Sequence, residues 1–172
     1  MPASRRPCAS DPGRSAPDDV MTIPLTDTNT GLALKFFGAE VRLMGKVGDD
    51  AFGRMAVEIV KQHGIDSGLI VSKDSHTSYS VVLALPGKDR IFLHHPGAND
   101  TFTSADLDLE AIAQSVLFHF GYPPLMKQFY LEGGKELTAM FKKVSEMGVV
   151  TSLDMVAVDP SSPAGMVDWQ AI

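Results

Sequence analysis

Cysteine is nearly absent from this chain, since Cys8 is the one cysteine among 172 residues. A single cysteine excludes a disulfide framework and a cysteine-based metal site, and it favours a reducing, cytoplasmic setting. Long apolar runs are missing as well, because none approaches the roughly 18 residues that a membrane-spanning helix needs. No apolar segment of the secretory-signal type precedes Met21. We therefore expect no membrane partner.

Positive charge is also scarce. Fifteen Lys and Arg face 21 Asp and Glu, which gives a formal net charge of −6 and a pI near 5.2. A nucleic-acid-binding surface needs clustered Lys and Arg, so nucleic acid is not an expected partner. Hydrophobic residues make up 44% and charged residues 21% of the chain, which is typical of a globular domain.

Neither of two common phosphate-binding loops occurs in the glycine-rich segment Gly38–Gly53. A Walker A loop would need Lys and Ser or Thr where Arg54 and Met55 stand, and the spacing of GxGxxG is not met. The segment is a short apolar strand, a glycine turn and a helix start. We interpret its glycines first as turn and packing residues, and Asp50 first as a helix cap.

The rest of the chain alternates between strand and helix patterns after a tail. Met1–Val20 is rich in Pro and Arg and is predicted to be disordered, and we place the tail boundary at residue 28. The alternation predicts an α/β fold with a mostly parallel sheet covered on both faces. Helices are predicted at Asn29–Phe37, Ala51–His63 and Gly134–Met147, and a further helix, capped by Thr103 or Ser104, is predicted to run through Ala113. Strands are predicted at Val41–Met44, Val116–Phe120 and Val149–Leu153, and Val167–Ile172 resembles the start of a further element.

One hairpin stands apart from this alternation, at about residues 78–95. Apolar residues alternate with smaller ones from Tyr79 to Leu85, and Pro86-Gly87-Lys88-Asp89 forms a turn into a second strand. We predict a small antiparallel sheet that serves as a flap or lid. Adjacent His94 and His95 point to opposite faces of such a strand, so we predict no metal site there.

Three segments in order carry a family resemblance. The stretch NTGLALKFFGAEVRLMGKVGDDAFG resembles the amino-terminal signature of the PfkB, or ribokinase-like, carbohydrate kinases; RIFLHHPGAND resembles their lid strand and PGAN segment; SLDM resembles a later strand end. The resemblance covers Asn29–Ile172, the middle of a kinase of roughly 300 residues. It implies a ribokinase-like three-layer αβα sandwich, present in part, with an antiparallel β lid.

The resemblance also implies roles for single residues. It implies that the sugar is bound by Asn29, Gly48, Asp50, Asn99 and Tyr122. Gly48 would allow close approach of the sugar, and Asp50 would hold the turn. Asp154 corresponds to a position near the nucleotide phosphates. Without the resemblance, Asn29 is equally well explained as a helix cap, and Asp154 as a carboxylate that caps a loop.

The departures concern the catalytic parts. Pro24 and Leu25 stand where the family has paired glycines, and Gly31 replaces a small Ala, Ser or Thr. No GxGD segment, which holds the family's catalytic Asp, occurs in the chain. We expect that Asp beyond Ile172 and therefore assign no catalytic residue here.

The sequence thus favours a fragment of an ATP-dependent carbohydrate kinase that carries the sugar side and the lid. Phosphoryl transfer in the complete enzyme would use ATP and Mg²⁺, and the fragment alone should be inactive. Two alternatives remain: a non-catalytic sugar-binding or dimerisation module, since lids of this family can pair between subunits, and a nucleoside kinase on the same scaffold.

Overall fold

The computed structural model describes Val20–Pro24 and residues 28–172. The larger elements are β1 (Val20–Pro24), α1 (Thr28–Phe36), β2 (Glu40–Gly48), α2 (Ala51–Gln62), β3 (Asp66–Ser72), β4 (Tyr79–Leu83), β5 (Ile91–His95), α3 (Leu109–Ala113), β6 (Leu117–Gly121), α4 (Lys127–Tyr130), α5 (Lys135–Glu146) and β7 (Val150–Asp154). Short 3₁₀ turns lie at Gly97–Thr101, Ser104–Asp106, Pro123–Leu125 and Leu131–Gly134.

Five strands form one parallel sheet in the order β3-β2-β1-β6-β7. Helices follow the strands in sequence, as the alternating pattern predicts, because parallel neighbours need crossover connections. The hairpin β4–β5 is a separate antiparallel sheet, and we call residues 78–95 the lid. The predicted α/β class and the antiparallel addition are both confirmed.

Strand β2 has a buried apolar cluster on each face. Successive residues of β2 point to opposite sides, and they pack into two different apolar clusters. Leu43 packs with Val41 and Val60 on one side, whereas Met44 packs on the other side in a larger cluster. Cover on both faces is the layered arrangement that a parallel sheet requires.

The larger cluster is aromatic at its centre. Phe120 lies with its ring centroid 4.8 Å from that of Phe129, and Phe118 and Phe102 pack beside them. All four rings are buried. This cluster anchors β6 and α4 below the carboxyl end of the sheet.

One prediction about the tail is wrong. The tail was predicted to continue to residue 28, but Val20–Pro24 form the central strand of the sheet, paired on both sides with β2 and β6. The apolar run Val20-Met21-Thr22-Ile23 supplies the β-branched residues that strands favour, and the neighbouring prolines and arginines obscured it. Residues 1–19, the rest of the predicted disordered segment, and residues 25–27 lie outside the described part of the chain.

One predicted helix is divided in the structure. The helix expected to run from a Thr103 or Ser104 cap through Ala113 is a 3₁₀ turn, Ser104–Asp106, followed by α3. The carboxylate of Asp108 accepts a hydrogen bond from the Ala111 N–H and so starts a new helix. Helix α2 forms as predicted, yet its apolar residues Phe52, Met55 and Ile59 stay exposed. No regular element forms at Val167–Ile172.

Within the described ranges, no helix is both long and apolar enough to cross a membrane.

Candidate sugar site beneath the lid

A cavity lies where the carboxyl ends of the parallel strands meet the lid. Its volume is about 550 Å³. The edge of an open parallel sheet is where α/β proteins place their ligands. Its walls come from the strand ends and the segments after them, from the lid, and from the segments at the lid's root; they are Asn29, Lys46, Val47, Thr77, Ser78, Tyr79, Ser80, Phe92, His94, Asn99, Tyr122, Leu125 and Val156.

Three of the six predicted site residues line this cavity: Asn29, Asn99 and Tyr122. Asn29 is exposed and lies within α1; it is not the cap of that helix, because the helix already begins at Thr28. The Asn99 side-chain amide donates to the Ser78 hydroxyl at 3.0 Å. The two carboxamides therefore reach the cavity from separate segments of the chain.

Tyr122 occupies a left-handed backbone conformation, with φ 54° and ψ 49°. Residues other than Gly, Asn and Asp seldom adopt this conformation, and such local strain is frequent at functional sites. The Tyr122 N–H donates to the Asp154 carbonyl at 2.9 Å, and Pro123 follows directly. These constraints turn the chain out of β6 at the cavity wall.

Gly48 and Asp50 lie behind the cavity wall. The Asp50 carboxylate caps α2, as predicted, by accepting the Gly53 N–H at 2.8 Å. It also accepts the Thr77 N–H at 2.8 Å and the Thr77 hydroxyl at 2.7 Å. These hydrogen bonds, led by the Thr77 N–H and with a smaller contribution from the charge of His76, lower the pKa of Asp50 from 3.8 to about 2.

Asp154 lies at the carboxyl end of β7. Its carboxylate accepts the N–H of the next residue, Met155, at 2.8 Å. This is the local geometry of a loop-capping carboxylate. Asp154 does not itself line the cavity, although its carbonyl accepts the N–H of Tyr122, which does.

The inner face of the lid carries a polar pair that the sequence analysis did not assign to the site. Ser80 Oγ and His94 Nδ1 are hydrogen-bonded at 2.9 Å, and both residues line the cavity beside Phe92. Partial burial lowers the pKa of His94, against an opposing effect of Asp100 and with a small contribution from His95. This shift favours the neutral form of the His94 imidazole.

The pattern of the lid strands contained the signal for this pair. Ser80 and His94 are cross-strand partners, as are Val82 and Phe92, so these residues share one face. His95 lies on the other face, with its ring 5.2 Å from that of Tyr79. The prediction that the two histidines point to opposite faces is confirmed.

Lys46 lies at the cavity wall, but its ammonium group is engaged. It donates to Asp106 Oδ2 and to the Thr101 carbonyl, both at 2.9 Å, and the two side chains are only 14% and 20% exposed. Burial alone would raise the pKa of Asp106, but the hydrogen bonds from Lys46 and Thr103 outweigh it and leave that pKa lowered. The ion pair fastens the end of β2 to the segment after the lid.

Metal-ligating side chains do not gather in the part of the chain that the structure describes. Among these residues, no group of three or more His, Cys, Asp or Glu could hold a metal ion. The cavity walls themselves offer amides, hydroxyls, an imidazole and apolar surface. This is a set of groups suited to a neutral, polyhydroxylated ligand.

A parallel sheet, a cavity at its carboxyl edge and an antiparallel lid are together the features of a ribokinase-like α/β fold. The profile of the pfkB family carbohydrate kinases matches residues 27–168, and the chain belongs to this family. Its sequence is 32% identical to Fructokinase-1 of Oryza sativa subsp. japonica over 96 residues, which cover 54% of this chain and 30% of the relative. It is 28% identical to Probable fructokinase-5 of Arabidopsis thaliana over 129 residues, which cover 73% and 39%.

Solved structures show the same fold. A fructokinase from Xylella fastidiosa with bound ATP superimposes with a TM-score of 0.65 at 19% identity, over 79% of this chain and 44% of that one. An uncharacterized sugar kinase from Pyrococcus horikoshii gives a TM-score of 0.66 at 17% identity, over 81% and 53%. The chain thus spans about a third of the length of these curated relatives and about half that of the solved structures.

Proposed function

We propose that this chain forms the sugar-binding part, with its lid, of an ATP-dependent carbohydrate kinase whose acceptor is a ketose such as fructose. The observation that carries this proposal is the cavity under the lid, where Asn29 and Asn99 lie with the Ser80–His94 pair. Amides, hydroxyls and an imidazole offer both hydrogen-bond donors and acceptors, as sugar hydroxyls do. The choice of fructose rests on the names of the relatives.

The same proposal assigns the phosphoryl donor. Family membership and the ATP-bound fructokinase of the same fold support ATP as that donor, with Mg²⁺ as its counter-ion. Asp154 is our candidate for the nucleotide side. Because the chain contains no GxGD segment, we expect these residues alone to bind the sugar without transferring a phosphoryl group. The single cysteine supports a cytoplasmic setting for the protein.

Titration of the chain with D-fructose in a calorimeter tests the sugar site. We expect saturable binding that Asn29→Ala weakens about tenfold, because one hydrogen-bonding group is lost. Gln62→Ala is the matched control, since this amide lies on α2, where it donates to Glu58, and does not line the cavity. Equal affinity of Asn29→Ala and the unmodified chain would contradict the assignment.

Two further measurements separate the alternatives. Saturable binding of adenosine in place of D-fructose would favour the nucleoside kinase. Incubation with ATP, Mg²⁺ and D-fructose should give phosphorylated sugar no faster than a blank without protein. A rate well above that blank would show that the phosphoryl-transfer groups are present in these 172 residues, contrary to the proposal.

A second candidate function, a dimerisation module, is favoured by the outer face of the lid. Val81, Leu83, Ile91 and Leu93 share this face and are between 42% and 55% exposed. The apolar surface continues to α2, where the Phe52 ring lies 5.5 Å from that of Tyr79. An exposed apolar surface of this kind is typical of an interface, and a second copy of the chain presents the same surface.

Sedimentation equilibrium tests the dimer. The unmodified chain should sediment as a dimer, and Leu93→Asp should sediment as a monomer because it places a charge in the apolar interface. Val82→Asp is the matched control, since Val82 lies on the inner face of the same hairpin and should leave the dimer intact. A monomeric unmodified chain at all concentrations would exclude this function.

A further inference from the structure

The lid has few buried contacts that could fix its position relative to the sheet. Every residue of β4 and β5 is exposed, so the hairpin gains little from apolar contact with the body. Elements with few buried contacts open locally at low free energy. The position of the lid over the cavity must therefore be set largely where it joins the body, at its root.

Two chain segments meet at this root, and they are bound to each other. The His76 carbonyl of the entering segment accepts the Ala98 N–H of the leaving segment at 2.7 Å. One step further on, the Asn99 amide donates to the Ser78 hydroxyl. Thr77 lies between these contacts and is buried.

Asp50 holds Thr77 by both its main chain and its side chain. One carboxylate oxygen accepts the Thr77 N–H, and the other accepts the Thr77 hydroxyl and the Gly53 N–H. The Thr77 hydroxyl oxygen in turn accepts the Gly48 N–H at 2.9 Å. One carboxylate thus joins the start of α2 to the lid root, and one hydroxyl joins the lid root to the end of β2.

The lid root passes close to the backbone of two glycines, Gly48 and Gly97. A Cβ built on Gly48 would lie 2.6 Å from the Ser75 carbonyl oxygen and the Thr77 nitrogen. From the other side, a Cβ on Gly97 would contact the His76 carbonyl oxygen and lie 2.9 Å from the Ser78 nitrogen. Gly97 also has a positive φ of 49°. The segment is therefore enclosed between two glycines.

We propose that Asp50 and Thr77 are positioning residues of the sugar site. They form a clasp that fixes the lid root so that Ser80 and His94 are held over Asn29 and Asn99. Neither residue needs to touch the sugar to act, because both act through the lid. This inference rests on the proposed function for its effect on sugar affinity, and on the hydrogen-bond geometry alone for its effect on the lid.

A pair of substitutions at Thr77 separates the hydroxyl from the shape of the side chain. Thr77→Val keeps the size and removes the bonds to Asp50 and Gly48, whereas Thr77→Ser keeps the hydroxyl and removes a methyl group. Hydrogen exchange of the amides at 77–83 and 91–99, read by mass spectrometry, reports on the lid and its root. Titration with D-fructose reports on the sugar site, and the melting temperature reports on the fold.

In Thr77→Val, we expect the amide hydrogens of the lid to exchange about tenfold faster, while the amides of β2 and β6 keep their protection. The same variant should bind D-fructose about tenfold more weakly. Thr77→Ser should restore both properties to within about twofold of the unmodified chain. If the exchange rate of the lid amides is unchanged in Thr77→Val, or is as fast in Thr77→Ser as in Thr77→Val, the proposal that Asp50 and Thr77 fix the lid root is wrong. If no variant binds D-fructose, and the unmodified chain does not either, the proposed function is refuted. The exchange rates of the lid amides would still test whether Asp50 and Thr77 fix the lid root.

Discussion

Replacement of Gly48 by Ala should destabilise the protein by overpacking. The added Cβ would meet three backbone atoms of the lid root, Ser75 O at 2.6 Å, Thr77 N at 2.6 Å and His76 C at 2.7 Å. Main-chain atoms cannot rotate away as the end of a flexible side chain can. The root must therefore move, and with it the hydrogen bond from the Gly48 N–H to the Thr77 hydroxyl.

The expected cost follows from the typical penalty for inserting a methyl group into a packed site, about 1–3 kcal/mol. For a chain of this size, that cost lowers the melting temperature by roughly 2–12 °C. Thermal unfolding by circular dichroism, together with fluorescence of the single tryptophan, Trp169, measures the shift. Trp169 packs against the larger core cluster, so its signal reports the body of the protein.

Gly68→Ala is the matched control. A Cβ at Gly68 would have only ordinary contacts, with Met44 Cγ at 3.4 Å and the Leu43 carbonyl at 3.6 Å. This substitution adds the same methyl group to the neighbouring strand and should leave stability within about 1 kcal/mol of the unmodified chain. Equal melting temperatures for the two variants would refute the argument that the lid root fills the space beside Gly48.

Three other outcomes follow from contacts described above. The Asp50 carboxylate contributes its full stabilisation above about pH 4, and this contribution is lost as the pH falls toward its folded-state pKa of about 2. Between these pH values, the urea midpoint of Asp50→Asn should therefore change less with pH than that of the unmodified chain. Lys46→Met should lower the free energy of unfolding by about 1–3 kcal/mol, since it removes the bonds to Asp106 and Thr101, and a urea midpoint equal to that of the unmodified chain would count against that pair. Phe129→Ala should cost about 3–5 kcal/mol, because the ring is fully buried, and a melting temperature close to that of the unmodified chain would contradict this packing.

Local patterns were sufficient for much of the fold. The glycine that ends α1 was predictable, and Gly38 has φ 93° with hydrogen bonds from Gly38 to Lys35 and from Ala39 to Leu34, the bonding of a Schellman motif. The hairpin could be placed from strict alternation around a Pro-Gly turn. Such features depend on residues close in sequence, so the sequence predicts them well.

Contacts between distant segments were beyond the same reasoning. Asp50 and Thr77 are 27 positions apart, and nothing in the composition around Thr77 distinguishes it from other loop residues. Strand β1 was hidden for a different reason, because its short apolar run adjoins a tail rich in Pro and Arg. The role of Ser80 depended on the register of the hairpin, which pairs it with His94.

The central place of β1 in the sheet has a consequence for how the chain folds. Met21 pairs with Leu117, so roughly a hundred residues must be closed into a loop before this pairing forms, and contacts of such long sequence separation slow folding. During synthesis, β1 can meet β2 early but must wait for β6 to leave the ribosome. A chain interrupted before β6 would expose one edge of its innermost strand, which is a template for association with other chains.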